Sequence, residues 1–183
     1  MTRPAALGFR AGRGGSVVVG VTLAGDEPQV VLSTFLATAA EGDRLAFEPY
    51  HVAYEMPRGP DAEKTVAEGR KRQEAMAEAG LLALLDRLRG DGFEVRIAAL
   101  LVNRAGWITD LLQHALSAPE HPPVAEGLAV RDALRAAFKR CGLACVEMDE
   151  KSLSGDEGKP AGLGKPWRKE QKAAARAAWT ALR

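Results

Sequence analysis

The chain has 183 residues, of which 46% are hydrophobic, 27% charged and only 5% aromatic. That supplies core material for one domain built mostly on Ala, Leu and Val, and no stretch reaches the ~18 consecutive apolar residues of a membrane span. The net charge of +1 leaves no global field to steer the protein to nucleic acid, and two cysteines, Cys141 and Cys145, make neither a zinc set nor a disulfide framework.

In chain order, residues 5–10, AALGFR, read as a short strand, AGRGG as a tight turn, and SVVVGVTL, 16–23, as a second strand. A turn at AGDEP leads to a third strand, QVVLSTFL, 29–36, which completes an antiparallel meander. Residues 37–60 hold Pro49, Pro57 and Pro60 and predict an irregular insertion with a short strand near Leu45–Phe47. A helix capped by Asp61 is expected from there to about Arg89, its apolar stripe Ala77, Leu81, Leu84, Leu85 and Leu88 facing a core. Gly69 and Gly80 each cost roughly 1 kcal/mol against Ala there and argue against an unbroken helix.

FEVRIAALLV, 93–102, is apolar on both faces, as in a strand of a parallel sheet. Trp107, Ile108, Leu111, Leu112 and Ala115 predict a short amphipathic helix over 107–117. A helix from Pro123 to Gly142 follows, then a strand at LACVEM, 143–148, a loop at about 150–166, and a last helix from about Lys169. The expectation is a single α/β domain over 1–183. Its order is β-β-β-α-β-α-β-α, with a five-stranded mixed sheet and helices on both faces.

Charge is unevenly spread. Residues 1–25 carry Arg3, Arg10 and Arg13 and no acid, and the far end carries Lys165, Arg168, Lys169, Lys172, Arg176 and Arg183 against Glu170. These are two solvated basic segments unless the fold joins them into one anion-attracting surface. Both cysteines read as small core residues in a reducing compartment. MTRPAALGFR lacks the apolar centre of a signal peptide, so a cytoplasmic location is expected.

This order of elements resembles the ribonuclease H-like superfamily, and within it the Holliday-junction-resolvase branch, whose first strand reads like LGIDPG where this chain has Leu7-Gly8-Phe9-Arg10-Ala11-Gly12. Ala125-Glu126-Gly127 through Arg131, and Lys165-Pro166-Trp167 through Trp179, are similar to stretches of a bacterial family within that fold. The resemblance implies Mg²⁺ or Mn²⁺ held by acids on strand one, strand four and the last helix, clamping both oxygens of a phosphodiester. Here strand one carries Arg10, strand four has no acid over VRIAALLV, 95–102, and the last helix keeps only Glu170 near its start. Hard cations need oxygen ligands, so the resemblance implies a diverged site.

Open α/β sheets bind ligands at the carboxyl ends of their strands, and helix N-termini attract anions. Arg10, Arg13, Arg131, Trp167 and Lys169 are therefore the candidate ligand-binding residues, with Glu126 and Glu170 the candidate catalytic acids if the protein is an enzyme. Each has a plainer reading. Glu126 suits a first-turn acid favoured by its own helix dipole. Arg131 and Asp132 suit surface pairs, and Trp167 suits a staple closing the last helix on the sheet as well as a platform for a base. His51, His114 and His121 lack ligand spacing. Two functions follow. One is a binding protein for nucleic acid or a phosphate-bearing ligand, without standard nuclease chemistry and with no certain cofactor. The other is a Mg²⁺- or Mn²⁺-dependent nuclease or phosphotransfer enzyme with relocated acids, drawn from Glu126 and Glu170 with Asp132 or Glu150.

Overall fold

The computed structural model describes residues 2–153 and 167–183. The strands are β1 (Arg3–Gly12), β2 (Gly15–Ala24), β3 (Glu27–Ala37), β4 (Phe93–Val102) and β5 (Ala144–Asp149). The helices are α1 (Arg44–Phe47), α2 (Pro49–Glu55), α3 (Pro60–Gly90), α4 (Leu111–Ser117), α5 (Pro122–Arg140) and α6 (Lys169–Leu182). Single 3₁₀ turns occupy Arg104–Trp107 and Glu150–Leu153. The remainder of the expected 150–166 loop, with Lys165 and Pro166, lies outside the described residues.

The strands form one sheet in the order β3-β2-β1-β4-β5. The first three run antiparallel, and β4 and β5 run parallel to β1 and to each other. Side chains alternate across β1 with a period of two. Ala5, Leu7 and Phe9 meet α3 and α5 in the larger core, beside Leu81, Leu134 and Phe138. Ala6 points the other way, toward Ala174, Ala175 and Ala178 of α6.

The alanine-rich composition has its use here. The buried positions of α6 are Ala174, Ala175, Ala177 and Ala178, and small side chains let this helix settle close on the sheet. At Gly8 the approach is so tight that a Cβ would stand 1.8 Å from the carbonyl oxygen of Ala174.

Several expectations need correction, among them the cap of α3, which is Gly59 and not Asp61. Leu45–Phe47 is not a strand, and the expected irregular insertion is irregular only in part: α1 and α2 occupy 44–47 and 49–55, while 38–43 and 56–59 carry no helix or strand. Pro49 and Pro60 do not break structure, because they take the first helical position, where proline's missing N–H costs nothing, while Pro57 lies in the irregular link between α2 and α3. α3 runs unbroken, and its glycines are contact points. A Cβ on Gly69 would lie 2.6 Å from Leu45 O, and one on Gly80 would lie 3.2 Å from Leu36 Cγ. Finally, the helix expected over 107–117 begins only at Leu111, since Asn103 accepts from Ala105 N–H and starts a 3₁₀ turn instead. Trp107 is consequently 74% exposed. Cys141 packs against the core, but Cys145 is exposed on edge strand β5. Among the described residues no helix is long and apolar enough to cross a membrane.

Candidate functional site

The parallel arrangement of β1, β4 and β5 brings their carboxyl ends to one rim, where Arg10 of β1 meets the residue after β5 and the start of α6. Arg10, near the end of β1, is partly buried. Its Nε donates to Glu150 Oε1 at 2.9 Å, and its Nη1 lies 3.8 Å from Glu170 Oε1 at the start of α6. Glu150 follows β5 directly. A guanidinium thus sits between two carboxylates, at the strand position where the resemblance implies a third carboxylate.

Arg131 and Arg135, one turn apart on α5, extend the rim. Arg131 Nη1 donates to Asn103 Oδ1 at 2.8 Å, just past the end of β4, while its Nε is buried with no partner among the described residues. Desolvation, with repulsion from Arg135 and Arg10, holds the Arg131 guanidinium below the ordinary arginine range. Arg135 Nε donates to Glu147 Oε1 at 2.5 Å, and its Nη1 to Asp132 Oδ1 at 2.8 Å. Asp132 Oδ2 accepts from Arg70 Nη2 of α3 at 2.8 Å. Lys169 is exposed at the opening of α6. Trp167 packs against the Ala6 and Ala174 cluster, in the staple position.

Glu126 departs from its expected role. As the fifth residue of α5 it does not serve its own helix end. It is fully buried, and its Oε1 accepts from the backbone N–H groups of Tyr50 at 2.8 Å and His51 at 3.0 Å. Those are orphan donors in the first turn of α2, whose cap residue Glu48 makes no side-chain cap bond. A carboxylate from a distant helix therefore caps α2. His51 Nδ1 lies 3.3 Å from the same oxygen, and Glu126 Oε2 has no partner among the described residues. Burial pushes the Glu126 carboxyl up to about 7, against the opposing pull of the two amides. Arg13 belongs to this neighbourhood: it pairs with Glu48 at 3.5 Å, and Glu48 is 4.0 Å from His51.

The structure thus brings Arg10 and Glu170 together with Arg131 close by, and sets Glu126 with His51 and Arg13 in a second group beneath α2. His114 and His121 stack on each other at 4.1 Å, and Ser117 bonds His121, so neither reaches the rim acids. Sequence reading missed Arg135 and Arg70, and named Glu150 only among the relocated acids of the enzyme reading. Glu150 stood in a stretch read as loop, and the two arginines enter through pairs between α3, α5 and β5.

The donor set does not fit a two-metal clamp. Two carboxylates with a cation between them lack the net negative charge and the oxygen count that hard divalent ions demand. Among the described residues no group of three or more His, Cys, Asp or Glu is arranged to hold a metal ion.

Two solved structures of Thermus thermophilus RuvC are similar to this chain. One, in complex with a Holliday junction substrate, matches with a TM-score of 0.57 and 11% identity over 96% of this chain and 90% of that one. The other matches with a TM-score of 0.56 and 12% identity over 96% and 92%. No family model matches the sequence, and no curated protein matches it. At such identities the likeness shows the fold alone: this is an α/β protein of ribonuclease H-like fold, as the order of elements implied.

Proposed function

We propose that this chain binds nucleic acid, or another phosphate-bearing ligand, along the rim of β1, β4 and β5 without standard metal-dependent cleavage. The observation that carries the reading is Arg10, which holds Glu150 and Glu170 in ion pairs at the position a metal-binding acid would take. Supporting it, the solved neighbour holds a Holliday junction, the rim here presents Arg131, Arg135 and Lys169, and the indole of Trp107 in the 3₁₀ turn after β4 is exposed. Cations of this kind contact phosphates without reading sequence, while an exposed aromatic ring offers a base a stacking surface.

The test is fluorescence anisotropy with a four-way DNA junction and a single strand, in Mg²⁺ and in Mn²⁺, with denaturing gels for cleavage. Binding that weakens with salt, weakens further in an Arg131→Ala, Arg135→Ala double variant, and leaves the DNA intact is expected. The competing enzyme reading draws on the closeness of Glu150 and Glu170 to one cation. Metal-dependent cleavage that disappears in Glu170→Ala would establish that reading and remove ours. Glu126, buried against α2, has no part in either arrangement at the rim.

A further inference from the structure

Beside the rim, between α3, α5 and the segment from the 3₁₀ turn to α4, lies a cleft of about 520 Å³, within the range of small-ligand pockets. One wall is apolar, with Ile108 and Leu112. A polar end, joined through Asp132, carries Tyr50, Arg70, Asp132 and Arg135. The hydrogen-bond inventory of that end is lopsided. Both oxygens of Asp132 are already taken, one by Arg70 and one by Arg135. The other carboxylate of the lining, Asp110, caps α4 through Gln113 N–H. Arg70 also contacts the buried Tyr50 phenol, whose ionisation is pushed up to about 12 by burial, so the hydroxyl remains a donor at neutral pH. What remains unspent there is N–H groups on the two guanidiniums and one O–H, against Asp110 Oδ2 and the Thr109 hydroxyl as acceptors in the lining. A ligand that fits is partly apolar and meets the two guanidiniums with acceptors.

We infer that this cleft receives one unstacked nucleobase bearing carbonyl acceptors, guanine or uracil/thymine in preference to adenine, from a strand lying on the rim. The inference rests on the rim reading for the strand. Arg135 links the two, since it lines the cleft and pairs with Glu147 on β5. Guanidinium donors pair with guanine O6 and N7 or with pyrimidine carbonyls, whereas the amino group of adenine presents donor to donor.

The experiment is an NMR titration of the ¹⁵N-labelled protein with GMP, UMP and AMP. All three carry the same phosphate, so differences report the base. The expected result is movement of the Tyr50, Arg70, Ile108 and Leu112 amides, with GMP and UMP binding roughly fivefold or more tighter than AMP. Thr109→Trp, at an exposed position of the lining, should abolish those shifts, and Arg70→Leu should erase the preference among bases. Equal binding of the three, or shifts unaffected by Thr109→Trp, overturns the inference. Junction binding is measured in parallel. A bound junction with a silent cleft removes the base pocket and leaves the rim reading standing. A responsive cleft with no junction binding keeps the pocket and retires the strand.

Discussion

Glu126→Gln separates the capping of α2 from the charge that does it. In the native protein Oε1 accepts the Tyr50 and His51 amides, while burial raises the carboxyl from 4.5 to about 7. A carboxyl whose folded pKa lies above its unfolded value binds its proton more tightly when folded. It therefore contributes stability that is complete below about 4.5 and is lost as pH rises through about 7. At about 1.4 kcal/mol per pH unit, that interval amounts to about 3 kcal/mol as an order of magnitude. Glutamine keeps the acceptor oxygen and never ionises. Urea unfolding of both proteins between pH 4 and pH 8 should show the variant gaining on the native protein by about 3 kcal/mol as pH rises. A difference flat to within about 1 kcal/mol, or one moving the other way, would refute the burial argument.

Gly8→Ala should destabilise by about 3 kcal/mol or prevent folding, since its Cβ would collide with Ala174 O at 1.8 Å and backbone cannot yield as a side chain can; denaturant midpoints decide it. Gly69→Ala should also destabilise, because its Cβ would meet Leu45 O at 2.6 Å, whereas Gly127→Ala, with nothing within 4 Å, should stabilise by about 0.5–1 kcal/mol. Thermal melts of that pair test whether packing or helix propensity governs each site. Arg10→Asp should lower the melting temperature in EDTA by crowding three carboxylates, and Mn²⁺ should restore it, with no such response in the native protein. An unresponsive variant would mean that Glu150 and Glu170 do not converge on a cation.

The sheet was largely legible because its strands are long and their apolar pattern is strong: β1 to β5 all fall near their predicted ranges. The insertion was not. Pro49 and Pro60 read as breakers although they open helices, and the acceptor that stabilises α2 lies 75 residues away at Glu126. Trp107 and Ile108 kept helical spacing with Leu111, yet the local bond from Ala105 N–H to Asn103 diverted the chain into a 3₁₀ turn. At the site, Arg10 and Glu170 were foreseen as neighbours because topology alone dictates which strand and helix ends coincide. The Arg70–Asp132–Arg135 relay was not, because it depends on the facing of α3 and α5, and surface charges encode no facing.

The cap on α2 also orders events during synthesis. The Tyr50 and His51 amides have no carboxylate to bind until residue 126 has left the ribosome and α5 has docked. The meander can pair its three strands before then, so the first turn of α2 keeps its amides on water for some 75 residues more. Nascent chains arrested before and after that point should differ in protease cutting around residue 50 while protecting the hairpins alike.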